Sequence, residues 1–198
     1  MSLHRRRVQG GAALGVDGLE ALAAASVDLV GRALPPTAVL RARLVRDPDC
    51  VMAIVDGRAV VAHSVVYGVD AATTDALLGG VVVNGAALPL DGLTSGSPRA
   101  FYIGMVAGRG SPGVLALRLL VTHLVERRCS TSGADRLFAR PATGGGQRLL
   151  DRAGFRAIGG SSEVWALAAG AWPAPDRVGP DALVSRRYVV NLFGGARQ

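Results

Sequence analysis

Residues 100–128, AFYIGMVAGRGSPGVLALRLLVTHLVERR, constrain the fold more than any other stretch of the chain. An aromatic and β-branched run meets a glycine turn, and a long run of helical character follows it. Ser111 at the cap and Pro112 at the first helical position set the start of that helix. A second strand-like run, RLFARP at 136–141, comes next. Strand, helix and strand in this order make a parallel, right-handed crossover.

The flanking sequence adds elements of another kind. Residues 17–33 have helical composition with Asp17 as the expected cap, and LPP at 34–36 breaks the run. Thr37 caps a second helix, AVLRARLVR, which ends before Asp47-Pro48. In CVMAIVDGRAVVAHSVVYGV, two strand-like runs flank Asp56-Gly57, the signature of a tight hairpin. Residues 70–99 exceed a short connection; TTDALL suggests a helical turn and GGVVVNGAALPL a hairpin around Asn84-Gly85. TGGGQRLLDRAGF reads as a short helix closed by Gly154, and FRAIGGSSEVWALAA supplies the last strands. The expected fold is mixed α/β, a predominantly antiparallel sheet with one parallel crossover and helices on both faces. Residues 1–16 read as a basic tail, 17–169 as the domain, 70–99 as an insert between its third and fourth strands, and 170–198 as a C-terminal extension.

The formal charge of +7 raises the question of a nucleic-acid partner. All 22 basic residues are arginine, they are mostly scattered, and no aromatic platform is interleaved with them. Solvated surface charge is the better reading, with an acidic ligand still allowed by the field. Cys50 and Cys129 stand far apart, and His4, His63 and His123 form no metal-ligand spacing with them. Neither a disulfide nor a metal site is expected. Charges interrupt the apolar stretch that follows the basic N-terminus, so no membrane span and a cytoplasmic protein are expected. The apolar LLGGVVV and YVVNLFGG suggest burial against a partner, with a homodimer the expected form.

Gly108, Gly110 and Gly113 match G-x-G-x-x-G, yet 27 glycines in 198 residues make such a match easy to reach. A dinucleotide fold also needs an acidic residue at the end of the next strand and further strand–helix units. The next strand ends in FARP, where Arg140 would at best suit a 2′-phosphate, and too little chain remains for a doubly wound sheet. The physics of a helix N-terminus serves other pyrophosphates equally well.

On these residues the chain resembles the GNAT superfamily of acyl-CoA-dependent N-acyltransferases. Residues 17–46 fit its paired opening helices, AIVDGRAVVAHSVVY its second and third strands, and YIGMVAG with the long helix its fourth strand and cofactor helix. GQRLLDRAGFRAIGGSSEVWAL is similar to its late block, with DRAGF the most specific motif. The resemblance implies an acyl-CoA co-substrate, acetyl-CoA or another acyl-CoA, held by Val106, Arg109, Gly110, Ser111, Gly113 and Val114. It also implies that the Val106 N–H stabilises the tetrahedral oxyanion, with a small-molecule or protein amine as acceptor.

The pattern departs from the family in two places. The pyrophosphate motif Q/R-x-x-G-x-G/A is degenerate, and Leu150 stands where many members carry a thiolate-protonating Tyr. His63 reads first as a hydrogen-bonded sheet histidine, with a catalytic role the minority alternative. Tyr102 reads as core, or as an acid. Glu163, after Ser161 and Ser162, belongs to a hairpin turn or to the acceptor site. The expected activity is acyl transfer, acetyl in the first instance, to an amine. The alternatives are a catalytically inactive GNAT-like binding or assembly subunit and, third, other acyl-thioester chemistry such as decarboxylation.

Overall fold

The computed structural model describes residues 7–31, 34–56, 59–108, 119–120, 123–124, 127, 133–159 and 163–168. The strands are β1 (Arg7–Gly10), β2 (Val51–Asp56), β3 (Ala59–Val69), β4 (Ala100–Gly108), β5 (Arg136–Ala139), β6 (Arg156–Ala157) and β7 (Trp165–Ala168). The helices are α1 (Gly11–Val30), α2 (Thr37–Arg46) and α3 (Ala71–Leu78). Leu119, Leu120, His123, Leu124 and Arg127 are helical, here α4, and α5 spans Gly144–Arg152. One seven-stranded sheet has the order β1-β2-β3-β4-β5-β7-β6. Among the described residues only β4 and β5 pair in parallel; the other pairings are antiparallel. This is the expected fold class.

The helix boundaries follow from local chemistry. α1 begins at Gly11 rather than at Asp17, and it ends at Gly31, which adopts φ 67° and returns its N–H to the Val27 carbonyl. Only a glycine takes that left-handed turn without cost. Pro36 precedes α2, and Asp47 closes it with a backbone bond to the Arg43 carbonyl. Pro48 cannot continue the helix. Thr143 caps α5 through its hydroxyl, which accepts from the Gly146 N–H.

The sheet alternation sorts the core into two layers. One face carries Val51, Val65, Tyr67, Ala100, Tyr102 and Phe138, covered by Leu19 and Leu22 of α1 and by Leu40 and Leu44 of α2. The other carries Val66, Phe101, Leu137, Trp165 and Leu167, covered by Leu120 and Leu124 of α4 and by Leu150 of α5. Two register shifts interrupt the ladders, one between Ile54 and Val55 and one between Val65 and Val66.

The 70–99 segment differs from the expected second hairpin. Asp70 caps α3 by accepting from the Thr73 N–H at 2.8 Å. Asn84 does not turn a hairpin; its Oδ1 accepts from the Ala86 and Ala87 N–H groups and starts a 3-10 turn, Gly85–Ala87. Asn is as suited to capping as to a two-residue turn, and the runs around it lack partner strands. The segment then returns to the end of β3, where the Thr94 N–H donates to the Gly68 carbonyl and the Arg99 N–H to that of Val69.

Polar groups are buried on both faces. Asp47 is fully buried; Arg127 Nη2 spans its two carboxylate oxygens at 2.9 and 2.8 Å, and the Gly68 N–H donates to Oδ2. Burial pushes the Asp47 carboxyl upward, against the pull of Arg127 and of that N–H. Above this pair, His123 Nε2 lies 2.6 Å from the Asp49 carbonyl and its Nδ1 2.7 Å from Ser64 Oγ. The carbonyl can only accept, so Nε2 carries the proton and the Ser64 hydroxyl donates to Nδ1. The neutral ring is thereby satisfied at both nitrogens.

Two expectations follow. Asp47→Ala leaves Arg127 buried without its counter-charge and should cost about 3–5 kcal/mol in urea unfolding. Burial lowers His63 from 6.5 to about 4 and His123 from 6.5 to about 3. A depressed folded pKa means that the unfolded chain binds the extra protons, so this stability is present above pH 6.5 and is lost on acidification. Each histidine contributes about 1.4 kcal/mol per pH unit between roughly pH 6 and 4. Unfolding at stepped pH should show a shallower slope, by about that amount, in His123→Gln than in the parent; equal slopes would contradict the burial of a neutral ring.

Candidate functional site

The single parallel pair is where the sheet opens. β4 and β5 are in register from Ala100↔Arg136 to Ile103↔Ala139. β5 ends there, while β4 runs on to Gly108 against β3 alone among the described residues. At the same level Val65 opposes Met105 and Val66 opposes Ile103, so Gly104 is the extra residue of a β-bulge. An added Cβ at Gly104 would stand 2.9 Å from Tyr67 Cε2, so the close approach of ring and strand requires glycine. A glycine inside an otherwise apolar strand is a bulge signal that the sequence carries openly.

The bulge directs backbone polar groups into the opening. The Val66 N–H is used by the Cys50 carbonyl on the β2 side. By alternation Val65 and the opposed Met105 turn toward each other, and Val106 turns away from β3. The Val106 N–H and C=O thus face the open side of β4, while the Val106 side chain packs on the α4 face of the sheet.

On the other face, a row of buried aromatics, Tyr67, Tyr102 and Phe138, crosses β3, β4 and β5 just below the opening. The 3-10 turn lies on this row, with a Gly85 Cβ position 3.1 Å from Tyr102 Cε1 and 3.8 Å from the Gly104 Cα. Arg43 of α2 fixes the turn: Nη2 donates to the Ala86 carbonyl at 3.2 Å and to that of Leu88 at 3.5 Å. Its guanidinium carbon also stands 4.8 Å above the Tyr67 ring. Burial raises Tyr102 to about 12, with Arg140 pulling the other way. A neutral phenol is therefore held beside the opening at neutral pH. Arg140 follows β5 directly, and its Nη2 lies 3.3 Å from Glu163 Oε2.

His63 is fully buried on β3, beside Ala107 of β4, with Nε2 2.8 Å from Ser26 Oγ. The single Ser26 hydroxyl proton is donated to the Leu22 carbonyl, so His63 must donate from Nε2. His63 Nδ1 is then a buried acceptor, and it has no hydrogen-bond partner. This couple joins α1 to the sheet, and Ser26 has no proton left for His63 to take.

Val106 therefore lies on the part of β4 beyond the end of β5, Tyr102 is buried opposite Phe138 just below it, Glu163 meets Arg140 ahead of β7 on the other side of β5, and His63 lies one strand behind. Arg109, Gly110, Ser111, Gly113 and Val114 lie outside the described residues, as do Ser161 and Ser162. Leu150 packs into the α4-side core. Sequence reasoning passed over Gly104, Arg43 and the 3-10 turn, and it weighed Arg140 only against a ribose phosphate. Among the described residues no helix is long and apolar enough to cross a membrane.

The Gly104 approach gives a direct test. Gly104→Ala should destabilise by about 1–3 kcal/mol, as Tyr67 or the bulge must shift. Tyr67→Ala in the same chain should recover part of the Gly104 effect in a double-mutant cycle.

No protein-family model and no curated protein sequence matches the chain. Solved structures do. Ard1 from Thermoplasma volcanium matches with TM-score 0.51 and 10% identity, over 82% of this chain and 97% of that one. The loading GNATL domain of CurA from Lyngbya majuscula matches with TM-score 0.52 and 14% identity, over 69% and 64%. An agmatine N-acetyltransferase mutant, S171A, matches with TM-score 0.50 and 13% identity, over 83% and 100%. Another matched chain, from Pyrococcus horikoshii, is covered over 45% of its length. The order of the elements, the single parallel pair among the described strands and these likenesses lead to one conclusion: the chain has the GNAT fold.

Proposed function

We propose that the protein is an acyl-CoA-dependent N-acyltransferase. The observation that carries this reading is the open edge of β4 beyond Ile103, where a strand presents backbone donors to a ligand and no strand of the described residues covers it. An extended amide-bearing chain such as the pantetheine arm of an acyl-CoA can add to such an edge as a strand would. The acyl thioester would lie at Val106, whose N–H is directed where an oxyanion develops. The pyrophosphate would fall to Arg109, Gly110, Ser111, Gly113 and Val114, at the turn the sequence places after β4.

Acyl transfer forms a C–N bond and breaks a C–S bond, and one proton leaves the amine while one reaches the thiolate. Tyr102, buried just below the opening, and Glu163, ahead of β7 beyond the end of β5, are the candidate proton carriers. Tyr102 retains its proton at neutral pH and suits the thiolate; Glu163 suits the amine. His63 has no path to either through its bond to Ser26, and its role here is to hold α1 on the sheet. The acceptor would be a small-molecule amine or a protein amine.

Calorimetry with acetyl-CoA should give a micromolar dissociation constant. Val106→Pro removes one N–H that the β3–β4 ladder does not use. It should lower turnover about 10²–10³-fold while leaving the fold intact by thermal unfolding. Absence of binding by any acyl-CoA would instead favour the reading of a non-catalytic binding subunit, which the degenerate loop and Leu150 also suit.

A further inference from the structure

Buried charge does not balance among the described residues. Two guanidinium groups are buried, Arg43 at 3% exposure and Arg127 at 4%, against one carboxyl, that of Asp47. All three act on the buried Cys50 thiol, so they share one region of the core. Asp47 is taken by Arg127 at 2.8 Å. Arg43 donates from Nη2 to two neutral carbonyls, those of Ala86 at 3.2 Å and Leu88 at 3.5 Å, and its buried Nη1 has no partner. A guanidinium keeps its proton in a protein, and a buried charge without a counter-charge is costly. The Tyr67 ring and two long carbonyl bonds offset part of that cost and leave the Nη1 donors unmet.

The cover over this guanidinium is thin. The Gly85–Ala87 turn buries none of its own residues and hangs between two buried ones, Val82 and Leu88. The exposed Asn84 side chain organises the turn through its bonds to the Ala86 and Ala87 N–H groups. The Tyr67 ring under Arg43 has its Cε2 edge against Gly104 of the β4 bulge, and the Gly85 position lies 3.8 Å from the Gly104 Cα. Arg43 is thus one ring away from the bulge, under a turn that has no core of its own.

We propose that Arg43 is a carboxylate-binding site gated by this turn: a ligand carboxylate takes Nη1 and Nη2 together, and the Gly85–Ala87 turn moves aside. The terminal edge of a guanidinium presents parallel N–H groups that match the two oxygens of a carboxylate. Two charge-assisted bonds then replace two long neutral ones, the Nη1 donors are met, and the buried charge balances. A neutral ligand of the same shape supplies no counter-charge and gains little by displacing the turn. The carboxylate is carried either by a free acid or by the far end of a dicarboxylic acyl group, since both present the same two oxygens. The inference goes beyond the acyltransferase reading and does not need CoA at the β4 edge.

The test is an NMR titration of the isotope-labelled full chain with acetate and succinate at constant ionic strength, with acetamide and succinamide as neutral controls. The Ala86 and Ala87 amide signals should move saturably with the acids, at roughly millimolar concentration, and stay in place with the amides. Arg43→Met should weaken the acids by at least about tenfold. Asn84→Ala removes the cap of the turn and should tighten succinate by about 2- to 10-fold, because less of the protein is then held closed. Signals that do not move in the parent, or that move equally with the amides, would overturn the inference, with Nη1 then met by water alone. Unchanged succinate affinity in Asn84→Ala would overturn it as well. Where Arg43→Met does not fold, Asn84→Ala and the amide controls decide. Calorimetry with succinyl-CoA against acetyl-CoA separates the two carriers. Tighter succinyl-CoA binding that Arg43→Met removes supports a carboxylate on the acyl group; equal binding of the two, with succinate still bound, supports a free acid. Failure of every acyl-CoA to bind would overturn the acyltransferase reading alone.

Discussion

The buried contact between Asp47 and Arg127 is the constraint on which the sheet and its helices depend. Asp47 ends α2, accepts the Gly68 N–H from β3, and meets the α4 guanidinium across both carboxylate oxygens. Arg127 also donates to the Val66 carbonyl and stands 4.8 Å from the Phe101 ring. Four elements are thus tied at one point that water does not reach. The arrangement satisfies the end of β3 where β2 no longer runs beside it. Gly68 must be glycine there, because an added Cβ would run into the Thr94 carbonyl.

That anchor lies two residues from the register shift that opens the sheet. With Val66 held toward β2 by the Cys50 carbonyl and toward α4 by Arg127, the extra residue falls on β4, at Gly104. The bulge turns the Val106 amide toward the gap, and β5 ends at the same level. Arg43 completes the arrangement from the opposite face by holding the 3-10 turn over Tyr102. One nitrogen of Arg43, Nη1, is buried without a partner, as is His63 Nδ1. Both side chains retain polarity in the core because each fixes a helix or a turn to the sheet. Their cost is accepted where the geometry of the opening depends on them.

Local chemistry made much of this legible beforehand. The Asp56-Gly57 turn predicted the β2–β3 hairpin, and Gly154 adopts φ 89° at the end of α5, as a closing glycine should. The order of strands and helices was enough to indicate the fold. Asn84 misled because one residue type serves both caps and turns, and the choice depends on whether flanking runs find partners. α1 starts before Asp17 because the preceding strand, β1, delivers the chain to Gly11 already beside β2. The resemblance placed Val106 at the cofactor turn; on the sheet it lies within β4, beyond the end of β5. The neighbours of Arg140 in space, Tyr102 and Glu163, are distant from it in sequence and could not be read from its local pattern.

By itself the sequence determined the kinds of element, their order, the single parallel crossover and the turns that join neighbours. Those features follow from backbone preferences, caps and hydrophobic period, which act over a few residues. Only the tertiary structure decided that Asp47 meets Arg127 at a separation of 80 residues, that His63 is spent on Ser26, and that β4 and β5 part at Gly104. Desolvation and pairing act between groups that the folded chain brings together, and no local pattern encodes which buried charge or open strand edge will find its complement.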